Sequence, residues 1–146
     1  MKLKILYTVS GRGFVESYRI INLQSISDDR GSLVVLENLN QIPFEIKRIF
    51  YVFNVQGNVP RGAHANKKSQ FVFIAINGSI KIKIKEQSGV DKIFNLNNPN
   101  TALWIDKLVW KEMYDFSDKA VLLVLSNELY DPNEYINDFT QLKGDH

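Results

Sequence analysis

The octapeptide SIKIKIKE, Ser79 to Glu86, alternates without a break, with Ile80, Ile82 and Ile84 on one side and Lys81, Lys83 and Lys85 on the other. Successive side chains of an extended strand point to opposite faces, whereas a 3.6-residue period would scatter these isoleucines around a helix. The segment therefore reads as a half-buried strand with a solvated lysine face. Further strand-like runs are Leu3–Val9, Tyr18–Leu23, Ser32–Leu36, Lys47–Phe53, Phe71–Ile76, Lys92–Asn95, Ala102–Ile105, Val109–Met113 and Val121–Ser126. Turn signals such as GRG, SDDRG, NVQGNVPRG, EQSG and NNPN separate them, and ING at Ile76–Gly78 reads as a hairpin turn. Many short strands at regular spacing predict a sandwich or small barrel. The tail DPNEYINDFTQL breaks the period. Asp131 suits an N-cap, Pro132 a first helical residue and Glu134 a capping-box acid, so a short C-terminal helix with Tyr135, Phe139 and Leu142 on one face is expected.

A chain of 146 residues is the size of one compact domain, and one domain over residues 1–146 is the reading adopted. The chain has no cysteine, which excludes a disulfide framework, a thiol nucleophile and a cysteine zinc site together. Its formal net charge of +2 is smaller than the basic excess usual in a nucleic-acid binder. No apolar run approaches the ~20 residues of a membrane helix. The opening MKLKILYTVSGRG reads as a strand and not as a signal peptide. These features together predict a cytoplasmic protein that uses neither nucleic acid nor a membrane.

The segment VPRGAHANKKSQ holds His64, the one histidine besides the terminal His146. A small β-barrel with a His-x-polar pair suggests a cupin, and Gly57 and Gly78 frame the segment as a metal-binding cupin motif would require. The ligands do not follow. Asn66 stands where a second histidine belongs, Gln70 or Phe71 where the glutamate belongs, and no later histidine precedes His146. One imidazole and an amide make a poor transition-metal site, so no metal is expected.

On a strand, His64 and Asn66 point to the same side. If that side is the barrel interior, a titratable base sits in a pocket with a basic rim: Arg61, Lys67 and Lys68 here, Arg30 in DDRGS, and Lys47 and Arg48 in FEIKRIFYVF. Tyr51, on the face of Ile49, can share the lining. Such a rim suits an anionic substrate such as a diphosphate. The competing structural readings are specific. A lone histidine in a β protein often packs, Arg30 can pair with Asp28 or Asp29, and Lys111 in WKEMYDF can lie on a wet strand face. Trp104 and Trp110 read as barrel packing.

Taken in order, DDRGSLVVLE, IPFEIKRIFYVFNV, PRGAHANKKSQFVFIAINGSIKIKI, LVWKEMYDFSDKAVLLVLSNELYD and EYINDF resemble the WxcM-like nucleotide-sugar 3,4-ketoisomerases over about Val15 to Phe139. The resemblance implies an all-β cupin, a jelly-roll barrel, forming a homodimer with strand exchange. It implies a metal-independent isomerase without a cofactor, acting on a TDP-linked 4-keto-6-deoxy sugar. The 3-keto product would pass to an aminotransferase dependent on pyridoxal phosphate, on the way to 3-amino-3,6-dideoxy sugars of surface polysaccharide. Many members carry histidine where this chain has Asn66 and Lys111, which leaves His64 as the available imidazole.

Within that resemblance, His64 is the expected base, with Tyr51 and Asn66 beside it. Arg30, Arg48, Arg61, Lys68 and Lys111 are the expected substrate contacts. A histidine base is well matched to proton transfer near neutral pH. Two other classes stay open: a cupin-type sugar-nucleotide epimerase, and a non-catalytic sugar-nucleotide-binding relative.

Overall fold

A computed structural model of the chain describes residues 16–143, so the strand expected at Leu3–Val9 lies outside the described residues. The strands among the described residues are β1 (Tyr18–Asn22), β2 (Ser25–Asp28), β3 (Gly31–Val34), β4 (Arg48–Val52), β5 (Arg61–Asn66), β6 (Phe71–Asn77), β7 (Ile80–Lys85), β8 (Asp91–Leu96), β9 (Thr101–Ile105), β10 (Trp110–Tyr114), β11 (Val121–Ser126) and β12 (Tyr135–Ile136). One sheet runs β1-β9-β6-β11-β4, a second runs β12-β5-β10-β7-β8, and β2 and β3 form a separate hairpin. The described residues are all-β in two principal antiparallel sheets, in keeping with the sandwich or small barrel that the period-two reading predicts and with the jelly roll that the resemblance implies.

The core lies between the two sheets. Ile80, Ile82 and Ile84 of β7 are completely buried there with Phe71, Phe73, Leu103, Leu122 and Val124. The alternate residues of β7 face out, where Lys81 pairs with Asp115 and Lys83 and Lys85 with Asp91. The lysine face is thus solvated and partly neutralised. β6 reads FVFIAI because both of its faces are covered. Phe71, Phe73 and Ala75 point between the sheets, and Val72 and Ile74 point outward under Leu23, Ile42 and Phe44. No helix among the described residues is long and apolar enough to cross a membrane.

Two local expectations are corrected. The turn at Ile76–Gly78 does not close a hairpin, because β6 and β7 belong to different sheets and the chain turns a corner between them. Gly78 has φ +69°, and a Cβ there would press on Ser117 and Ala120, so this corner demands glycine. The C-terminal α-helix is also absent. Asp131 does cap a turn, accepting from the Asn133 N–H at 2.9 Å, but Pro132–Glu134 is a single 3₁₀ turn. Tyr135 and Ile136 then pair with Asn66 and Ala65 as β12, and Phe139–Lys143 forms a second 3₁₀ turn. Strand pairing with β5 takes the backbone groups that a helix would have used.

Candidate active site

His64 enters the site through a bulge. Lys111 of β10 faces His64 and Glu112 faces Gly62, so Ala63 is the extra residue on β5. Gly62 has φ +86° and Ala63 φ +57°. A Cβ on Gly62 would lie 2.9 Å from the Lys111 carbonyl and from the Met113 side chain, which explains the glycine two places before the histidine. Ala63 holds a left-handed conformation at some energetic cost, and such backbone gathers at functional sites. Beyond the bulge, Ala65 faces outward against Ile136 and Leu142, and Asn66 bonds inward. The His64 imidazole is half-buried, with its ring centre 4.7 Å from that of Tyr135.

Beside it lies a buried polar chain. Lys111 is 2% exposed; its ammonium donates to Asn66 Oδ1 at 2.7 Å and sits 4.6 Å from the Phe71 ring centre. Asn66 Nδ2 in turn donates to Glu134 Oε1 at 3.1 Å. The same carboxylate accepts from the Lys68 N–H at 2.9 Å, the Ser69 N–H at 3.0 Å and the Ser69 hydroxyl. Glu134 therefore clamps the turn after β5 and fixes which way the Asn66 amide points.

The electrostatics follow from this packing. Burial pulls the Lys111 ammonium down to about 7, against the opposing pull of Glu134. Burial and then the Lys111 charge lower the His64 imidazole, while a hydrogen bond to the Gly62 backbone and the Glu134 charge act the other way. Burial alone would raise the Glu134 carboxyl, but the hydrogen bonds from Ser69, Lys68 and Asn66 together hold it below the ordinary carboxylate value.

Arg48 closes the other side. Its guanidinium lies 5.5 Å from the Phe50 ring centre, 5.9 Å from Phe71 and 5.8 Å from Tyr130. Its Nε and Nη2 are buried without a hydrogen-bond partner among the described residues. Tyr130 packs on Tyr135, so His64, Tyr135, Tyr130, Arg48, Phe71 and Lys111 form a chain of contacts whose two ends are register partners across the β5–β10 ladder. Buried donors without acceptors are rare in native proteins and mark a place where a ligand atom can bind.

The expected residues divide. His64, Asn66, Lys111 and Arg48 come together. Arg61 and Lys68 are exposed at the two ends of the His64 segment. Arg30 does not join them; it sits in the β2–β3 turn with its side chain 90% exposed and paired to Asp28. Tyr51 is corrected: it is 63% exposed on the outer face with Ile49 and packs on Phe53, while Phe50 faces in towards Phe71. Glu134, Tyr135 and Tyr130 went unforeseen as site residues. Among the described residues, no group of three or more histidine, aspartate and glutamate side chains is placed to hold a metal ion.

A family model described as "WxcM-like, C-terminal" matches residues 16–144. This chain belongs to the WxcM-like family. It is 39% identical, over 86% of its length and 89% of the relative's, to the TDP-4-oxo-6-deoxy-alpha-D-glucose-3,4-oxoisomerase of Aneurinibacillus thermoaerophilus. A 3,4-ketoisomerase from Helicobacter canadensis superposes with a TM-score of 0.82 at 46% identity, covering 86% of this chain and 94% of the other. A single-site mutant of the 3,4-ketoisomerase QdtA from Thermoanaerobacterium thermosaccharolyticum, in complex with TDP-4-keto-6-deoxyglucose, superposes with a TM-score of 0.84 at 38% identity, covering 89% and 94%. As a member of this family the chain groups with isomerases on TDP-linked keto sugars.

Proposed function

We propose that this chain is a sugar-nucleotide 3,4-ketoisomerase that converts TDP-4-keto-6-deoxyglucose to a TDP-3-keto-6-deoxyhexose. The observation that carries the reading is the half-buried His64 imidazole, packed on Tyr135 and opposite Lys111 across the β5–β10 ladder, in a member of this family. The C4 ketone acidifies the hydrogen on C3. His64 takes that proton, a C3–C4 double bond forms, and negative charge develops on the C4 oxygen. The C3 hydroxyl then loses its proton as it becomes the ketone, while C4 and its oxygen each gain one. Two hydrogens have moved, and no oxidant or reductant is consumed.

Only groups aimed at the developing charge lower the barrier. Arg48, whose two buried donors have no partner among the described residues, and the Lys111–Asn66 pair are the candidates here. Arg61 and Lys68 are assigned to the phosphates at the rim. A ¹H NMR assay with TDP-4-keto-6-deoxyglucose tests the reading. A ketone that moves from C4 to C3 supports it. An inverted centre with the ketone in place would identify an epimerase, and no deuterium uptake from D₂O would identify a binding protein. Addition of an aminotransferase dependent on pyridoxal phosphate is expected to draw the 3-keto product into an amino sugar, the route to 3-amino-3,6-dideoxy sugars of surface polysaccharide.

Catalysis is expected to need no metal, since a single imidazole beside an amide and an ammonium is a poor donor set. Dialysis against a strong chelator should leave the rate unchanged. A rate lost on dialysis and restored by one divalent ion would contradict this.

A homodimer is also expected. Among the described residues β4 is an edge strand, and Ile49 and Tyr51 on it, with Phe53 just past its end, expose 61%, 63% and 55% of their surface, a row suited to burial against a second copy. Light scattering at micromolar concentration should give twice the chain mass; a monomer would refute it.

A further inference from the structure

We infer that Lys111 is a positioning residue for His64: paired with it across the β5–β10 ladder and tied to Asn66, its ammonium holds the imidazole in the unprotonated form that can accept a proton. The inference rests on the reading of His64 as base and adds to it the reason why that base is free to work. The geometry has three parts.

First, Lys111 and His64 are direct register partners, so their side chains leave the same face of the ladder side by side. Second, the ammonium is kept in the interior by contacts suited to a cation: the Asn66 carbonyl oxygen at 2.7 Å and the Phe71 ring face at 4.6 Å. Third, the Asn66 amide cannot turn over to offer its nitrogen instead, because Glu134 accepts from that nitrogen.

Two cationic groups side by side, one buried and one half-buried, disfavour each other's protonated form. The pair therefore holds one proton more readily than two. With the contacts on the Lys111 side, the proton resides there and His64 is left neutral. The charged and titratable neighbours are few. Glu134 and Tyr135 face the pair from the segment after Pro132, and Arg48 of β4 lies on the Phe71 ring beyond Lys111. From β7 the register partner of Lys111 is the apolar Ile84. The directions of both shifts agree, His64 below its ordinary value and Lys111 brought to about 7. Between those two points the site holds a neutral imidazole and a positive charge together. Proton abstraction needs the first, and the enediolate benefits from the second.

The test is an NMR pH titration of protein labelled at the histidine rings, with His64→Asn used to assign the His146 signal. In the unaltered protein the His64 midpoint should lie below the reference imidazole value of ~6.5. A smaller second inflection should appear as Lys111 loses its proton. In Lys111→Met the midpoint should move to higher pH and the second inflection vanish. In Lys111→Arg, which keeps the charge, the midpoint should stay low. A His64 midpoint that Lys111→Met leaves unmoved overturns the inference. If that variant does not fold, the unaltered protein decides, and a single inflection overturns it. The acid limb of kcat/KM separates this from the reading of His64 as base. A limb that rises in step with the NMR midpoint supports both. A limb that stays while the midpoint rises leaves Lys111's hold on the ring established and removes His64 as the base.

Discussion

His64→Asn protein should isomerise TDP-4-keto-6-deoxyglucose about 10²–10⁴-fold more slowly than the unaltered chain, the range that loss of one general base produces. Asparagine is close to the imidazole in size and can still donate to the Gly62 carbonyl, so the bulge at Gly62 and Ala63 should persist. The melting temperature and the affinity for TDP should change little, because the phosphate contacts are assigned to Arg61 and Lys68. The pH profile carries a second signature. Burial and the Lys111 charge place the His64 imidazole below its ordinary value. The rate should therefore be sustained down into mildly acidic solution and fall only as pH drops through that lowered value. The asparagine variant should lack this limb. Turnover near the unaltered rate would show that another group takes the C3 proton, and Lys111 would be the first to test. Tyr51 cannot serve from within its own chain, since its ring lies on the outer face of β4.

Tyr51 also shows how far a sequence can lead. Alternation assigns residues to two faces, and it names the inner one only where the faces differ in polarity. In SIKIKIKE they differ, and Ile80, Ile82 and Ile84 are buried as expected. In KRIFYVF both faces are apolar, with Ile49, Tyr51 and Phe53 on one and Phe50 and Val52 on the other. The covering of the outer face by Leu23, Ile42 and Phe44 stops short of Tyr51, which tertiary packing alone determines. The pairing of His64 with Asn66 was legible because two residues along a strand share a side. Lys111 was legible as a candidate, yet its burial depended on Asn66, a residue 45 positions away. The tail misled for a physical reason. Asp131 and Pro132 are true turn-starting signals, and they do start a turn. What stops a helix is Glu134, whose carboxylate is engaged by the β5–β6 turn, and Tyr135 and Ile136, which pair with β5. Both are long-range events, and neither has a local signature.

Glu134→Ala should be the most destabilising single change near the site. The carboxylate accepts from Asn66 Nδ2, from the Lys68 and Ser69 N–H groups and from the Ser69 hydroxyl. Deleting it strands these donors in a region where Asn66 and Ser69 are fully buried. A hydrogen bond to a charged group contributes about 1.5–3 kcal/mol, and removing one side of a buried charged network costs about 3–5 kcal/mol. For a chain of this size each kcal/mol moves the melting temperature by roughly 3 °C, so a fall of about 10 °C or more is expected. Glu134→Gln retains an acceptor oxygen but turns an amide nitrogen on the donors, and should fall between the two. The pH dependence has a definite sign. Because the folded protein holds the Glu134 carboxyl below its ordinary value, its contribution is fully present above the unfolded-state value of ~4.3. It is lost as pH falls through the lower folded value. The gap in stability between the unaltered chain and Glu134→Ala should thus be constant from neutral pH down to about 5 and close in stronger acid. Removing this carboxylate also withdraws the negative charge that favours the Lys111 ammonium, so Lys111 should deprotonate more readily in the variant. Thermal melts from pH 3 to pH 8 check the claim, and an alanine variant within about 1 kcal/mol of the unaltered chain at pH 7 would show that Glu134 is not the clamp that holds Asn66 and the His64 strand in place.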